Sequence, residues 1–186
     1  MKLLFFFWLI FFSFLAAPSL RAEDSSSSHQ HQEIKVPLGF CWGDSPQKLE
    51  DVVRSGGLTI TKREENPSLE EMIYVVHGVI GTALQQNLFV FRKNSLVEIE
   101  YQYGNKNWDG KNYEDFFEAF RRMYDTKYGL GTPLIKNSSK IDSSGIITSL
   151  SGYQWNQANA LLALYYYSAE QQEKTYRLIS LHYKAP

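Results

Sequence analysis

Covalent or acid–base chemistry in this sequence would have to come from one cysteine, four histidines and two groups of carboxylates. Cys41 stands in GFCWGDSPQKLEDVVRSGG (39–57), just ahead of a helical pattern. Helix N-termini and histidine bases both stabilise a thiolate, so Cys41 with His77 or His182 is the sharpest enzymatic arrangement the chain offers. Against it, Cys41 precedes the helix by several residues, and both histidines fall in strand-like stretches. A small buried hydrophobe is therefore the favoured reading of Cys41. An exported lone thiol could instead pair with another chain.

Glu98 and Glu100 lie two apart in SLVEIEYQYG (95–104). On a strand they point the same way at about 7 Å, a separation that glycosidase carboxylates use. Glu114, Asp115 and Glu118 form a second acidic group at a helix start, where carboxylates favour the helix dipole. The simpler account, a solvated sheet face and a favourable helix end, outweighs catalysis for both groups. His29 and His31 make an HxH pair in a polar tail that lacks the further ligands of a closed metal site, so no metal and no cofactor are expected. The sequence contains no Ser-elbow, HExxH, Walker loop or GxGxxG. Aromatics make up 15% of the chain, and Trp108, in the polar loop NKNWDGKN, is the best exposed candidate for a partner anchor. With Glu98 and Glu100 it completes the set of candidate binding residues.

These side chains need elements to hold them. Ser45 as N-cap, Pro46 at the first helical position and Gly56-Gly57 as a stop frame a helix with Leu49, Val52 and Val53 on one face. Strands follow at LTITKRE (58–64), MIYVVHGVIG (72–81), LFVFR (88–92) and 95–104, the last two joined at Lys93-Asn94 as the clearest hairpin. In the fourth strand Val97, Ile99, Tyr101 and Tyr103 face one way and Glu98, Glu100 and Gln102 the other, so one side of the sheet is wet. YEDFFEAFRRMYDTKYG (113–129) carries Tyr113, Phe116, Phe117, Phe120 and Tyr124 at helical spacing and closes on Gly129. Residues 130–145 read as an exposed connection, and three further strands follow near 146–155, 160–168 and 175–184. The expected fold is α+β, with two main helices packed on an antiparallel β-meander sheet. The order helix, four strands, helix, three strands further suggests two helix-plus-meander units.

Met1 to Ala22 reads as a secretory signal peptide, with Lys2, an apolar run from Leu3 to Ala17 and a small residue at Ala22. The run is short of the ~20 residues that span a bilayer, so no stable membrane anchor is expected after cleavage. Residues 23–35 read as a flexible polar leader, and 36–186 as a single domain that needs no disulfide. Export to a bacterial periplasm or the medium follows. Cleavage takes two of the 19 basic residues and none of the 20 acidic ones, leaving a small net negative charge that argues against a nucleic-acid binder. Asn137-Ser138-Ser139 matches a glycosylation acceptor.

The segments GFCWGDSPQKLEDVV, LFVFRKNSLVEIEY, YEDFFEAFRRMYDTKYG, GYQWNQANALLALYYYS and RLISLHYK together resemble a family of small exported bacterial α+β domains of uncharacterised function. Its plan is a WG-x-S helix start, an F-x-n-x-L hairpin, a helix ending in KYG, a Trp-bearing strand and a final L-x-Y strand. The likeness covers residues 36–184. The arrangement also looks like the helix-plus-meander units of envelope and inhibitor-type binding domains. Some such relatives are lipid-anchored, but this chain has no acceptor cysteine after its apolar run. The resemblance implies no catalytic residue. The expected function is an exported, non-enzymatic domain that binds a protein or cell-envelope component, with a thiol enzyme using Cys41 and a histidine as the alternative.

Overall fold

The computed structural model of the protein describes residues 32–78, 83–141, 145–172 and 174–186. The expected signal segment and the His29/His31 pair lie outside these residues. The elements are α1 (Pro46–Gly56), β1 (Thr59–Asn66), β2 (Glu71–His77), β3 (Leu84–Arg92), β4 (Ser95–Tyr103), α2 (Gly110–Tyr128), β5 (Thr132–Ile141), β6 (Ile147–Gln157), β7 (Ala160–Gln171) and β8 (Lys174–Lys184). Short 3-10 turns occupy Pro37–Gly39 and Pro67–Leu69.

The helices start and stop as their sequences dictate. Ser45 precedes Pro46 at the α1 N-terminus, although its side chain makes no capping bond, and Gly57 closes the helix in the left-handed conformation at φ 65°. The α2 N-terminus carries a reciprocal capping box: Asp109 accepts from the Asn112 backbone N–H at 2.8 Å, and the Asn112 side chain accepts from the Asp109 N–H at 3.2 Å. GFCWGDS is a folded junction as well as a helix start. Gly43 N–H donates to Leu96 O at 3.0 Å and Leu96 N–H to Asp44 O at 2.9 Å, which stitches this loop to the beginning of β4.

All eight strands join one antiparallel sheet in the order β1-β2-β3-β4-β8-β7-β6-β5. Each half is therefore a helix followed by a four-strand meander. The halves meet through their last strands, β4 and β8, and exchanging them leaves the strand order unchanged. The two-unit organisation suggested by element order is present in this topology.

The first meander holds four strands as expected, whereas the second holds four and not three. Residues 132–141, expected as an exposed connection, form β5, which pairs with β6 alone and carries Asn137. An edge strand needs no second apolar face and tolerates Pro133, so its polar sequence hides its strand character. Order also begins before Val36: Ile34 is fully buried in the core.

One face of the sheet is buried under both helices. Leu49 and Val53 of α1 and Tyr113, Phe117, Tyr124 and Tyr128 of α2 share a cluster with Phe89, Phe91, Ile99, Trp155, Leu162, Leu164, Ile179 and Leu181. The aromatic stripe of α2 is core, as its spacing predicts. Burial of each such side chain contributes roughly 1.5–3 kcal/mol before chain entropy is counted. Trp155 locks the end of α2: its indole N–H donates to Gly129 O at 2.9 Å and lies 3.2 Å from Asp125 Oδ1. Its ring leaves no room for a Cβ at Gly131, where an added carbon would sit 2.7 Å from Cε2.

The register fixes what lies on the opposite face. Val90 pairs with Glu98 but Phe91 pairs with Leu96, so Val97 is an extra residue in β4. Side-chain alternation is reset there, and Leu96 together with Ile99 faces the core, in place of the expected Val97.

Candidate functional site

The face turned away from the helices can be read across the strands from the pairing. One row runs Ile73, Val90, Glu98, Lys184, Leu161, Asn156; the next runs Val75, Leu88, Glu100, His182, Ala163, Gln154; a third runs Gln86, Gln102, Ser180, Tyr165, Gly152. Leu178, Tyr167 and Leu150 continue beyond them. The rows are mostly aliphatic toward the first half, apart from Gln86, polar at the seam, and a mixture of aliphatic, aromatic and amide side chains toward the second half.

The polar centre is an ordered network. His182 Nδ1 lies 2.6 Å from Glu98 Oε1 and Nε2 lies 2.9 Å from Ser180 Oγ. A carboxylate can only accept, so Nδ1–H donates to Glu98, and in the neutral ring Nε2 accepts from the Ser180 hydroxyl. Lys184 Nζ approaches the same Glu98 oxygen at 3.4 Å, and Glu100 Oε1 lies 3.8 Å from His182 Nε2. Glu100 accepts from Gln102 Nε2 at 2.8 Å, and Gln102 in turn accepts from Gln86 Nε2 at 2.6 Å. Tyr165 meets the imidazole edge to face at 5.3 Å. Tyr165 also lies over Gly152, where a Cβ would come 2.8 Å from its ring.

The Glu98, Glu100 and His182 side chains are only 21%, 15% and 15% exposed, so this is not the fully solvated face that alternation alone suggests. Burial works against ionisation of Glu98, but the hydrogen bonds and charges of His182 and Lys184 outweigh it. They hold the carboxyl below its ordinary value.

The structure brings Glu98, Glu100 and His182 together and leaves the other candidates apart. His77 is exposed at the end of β2, opposite Thr59. Trp108 is half-buried, packed on Tyr113 at 5.2 Å and Phe116 at 4.9 Å in the aromatic layer at the start of α2. Cys41 is exposed and free, which corrects its reading as a buried hydrophobe. Its backbone N–H donates to Asp44 Oδ2 at 2.6 Å. The open pocket beside it, 360 Å³, is lined by Glu33, Ile34, Lys35, Val36, Phe40, Trp42 and Asn159. That lining contains no histidine, and an exposed, unpaired thiol there argues against a Cys–His pair.

Tyr165 belongs to the Tyr165–Tyr167 run that the aromatic content offers as stacking or anchoring groups, whereas Ser180 and Lys184 went unmarked in the sequence. The signal that could have found them is their parity with His182 on the final strand, read together with β4. That no family model, no curated protein and no solved structure matches the chain leaves its function to be argued from this geometry alone.

Proposed function

We propose that the protein is an exported, non-enzymatic binding module that engages another exported protein through the helix-free face of its sheet. The observation that carries this reading is the composition of that face. Tyr165, Tyr167, Leu161 and Leu178 lie half-buried on one side of a charged centre, with Leu88 and Val90 on the other. Aromatic and aliphatic side chains supply the anchors of protein interfaces, and an antiparallel sheet can leave one face open for them. The Glu98–His182–Lys184 group would set orientation and partner choice more than affinity. The pairing of every acid at the centre with a local hydrogen-bond donor favours a binding role over hydrolysis. Export rests on the signal-like Met1–Ala22 segment, and the lack of a long apolar helix among the described residues is in keeping with a chain that is not held in the membrane by one.

The test is affinity capture from an envelope and secreted fraction of the source, comparing wild type with Glu98→Ala, Leu178→Ser and Cys41→Ala under reducing and non-reducing conditions. The reading predicts one saturable partner, weakened by the first two changes and retained by Cys41→Ala. A partner that survives both sheet-face changes, or one held only through Cys41 and released by reductant, would sink it.

A further inference from the structure

We propose that Glu98, Glu100 and His182 form a binding site for a divalent metal ion of the zinc type, set at the seam between the two halves of the sheet. This goes beyond the binding-module reading and does not rest on it. Each residue offers one ligand atom, and the three atoms lie within 4.8 Å of one another. Zinc ligands stand about 2.0–2.2 Å from the ion, so ligand atoms in a tetrahedral set are about 3.3–3.6 Å apart; Glu98 Oε1, 2.6 Å from Nδ1, must draw back, and Glu100 Oε1, 3.8 Å from Nε2, must turn toward the Nδ1 side.

The ligand types and their support are those a metal uses. Two carboxylates and an imidazole suit zinc and neighbouring divalent ions. Glu100 and His182 are direct cross-strand partners, and Glu98 is opposite Lys184 on the same pair of strands, so the ligands stand on the central ladder of an eight-stranded sheet. The imidazole is held from two further sides, by Ser180 Oγ at Nε2 and by the Tyr165 ring. An ion entering between Nδ1 and Glu98 Oε1 takes the place of the proton they share, and Nε2–H then donates to Ser180. That is the outer hydrogen bond that fixes ring orientation in metal-binding histidines. Gln102 plays the same part for Glu100. The site faces away from the helices, which leaves the remaining coordination positions to water or to a partner's side chain.

Lys184 is the internal competitor. Its ammonium sits 3.4 Å from Glu98 Oε1 and must swing away when the ion arrives. Removing it should strengthen metal binding, whereas a purely structural ion-pair network would gain nothing from the same change.

The probe is zinc chloride alone, titrated calorimetrically into the full purified chain carrying His29→Ala and His31→Ala, so that the HxH pair of the tail cannot bind the ion. Cobalt absorption reports the ligand set. The proposal predicts one zinc per chain, affinity at least tenfold weaker in His182→Gln and Glu100→Gln, and several-fold tighter in Lys184→Gln, with circular dichroism unchanged. The absence of saturable zinc binding in the tail variant, or binding that survives both His182→Gln and Glu100→Gln, overturns it. The three variants carry polar side chains of similar reach on a solvent-side face, so at least one is expected to fold and read the outcome.

Discussion

The two faces of β4 and β8 come from the same backbone and differ in every other respect. On one side Ile99, Tyr101 and Tyr103 meet Tyr183, Leu181 and Ile179 under the helices. Burial there pushes the phenols of Tyr101 and Tyr103 far above their ordinary values, so they stay neutral and act as hydrophobic bodies with polar tips. On the other side, one residue along each strand, Glu98, Glu100, Gln102, Ser180, His182 and Lys184 make a hydrogen-bonded network that is partly open to water. The lesson is a division of labour: the helix side carries the core cluster, and the opposite side, although Val75 and Ala163 are buried on it, leaves Glu98, Glu100 and His182 partly open to water.

The largest effect that would test this division is loss of Trp155, which is 2% exposed and clamps α2 to β6. Trp155→Ala should cost about 3–5 kcal/mol in chemical denaturation. A cost below about 1 kcal/mol would mean that the helix side is not the stabilising one. His182→Ala, on the open side, should cost about 1–2 kcal/mol, the range of a charge-assisted hydrogen bond in partial contact with solvent. A cost matching that of Trp155→Ala would erase the distinction between the faces.

A smaller, pH-dependent effect should follow from Glu98. Its folded-state pKa is depressed, so its contribution is present above the ordinary glutamate range, about 4.3, and is lost as pH falls through the lower folded value. The stability gap between wild type and Glu98→Gln should therefore be open at pH 7 and narrow steadily below about pH 4. Urea melts at pH 7, 5 and 3 measure it, and a gap that widens with acid would reverse the assigned sign. Smallest of all should be Cys41→Ala, within about 0.5 kcal/mol, because the side chain is exposed and outside the core cluster.

Much of this contrast is legible in the sequence, and the gaps have physical causes. Helix ends were readable because Pro46, Gly57 and Gly129 encode them locally, and the α2 core face was readable from its aromatic period. The wet parity of Glu98, Glu100 and Gln102 was readable too. β5 escaped because Pro133 and the polar run KNSSK (136–140) read as a loop, and an edge strand tolerates both. The placing of Val97 with Ile99 fails because a bulge at Val97 resets parity, and Val97 O accepts from the Ala185 N–H at 2.8 Å, a partner at the far end of the chain. The polar centre was half visible: Glu98 and His182 were singled out separately, but they are 84 positions apart and only strand pairing joins them.

The central claim is that the Glu98–His182 side of the sheet is the accessible, functional one. Hydroxyl-radical footprinting of the full chain in solution tests it directly. Tyr165, Leu178 and Leu161 should be labelled readily while Phe89, Phe117 and Trp155 remain protected. Protection of Tyr165 and Leu178 in the isolated chain, at the level of Phe89, would mean that the face is already covered and would contradict the account.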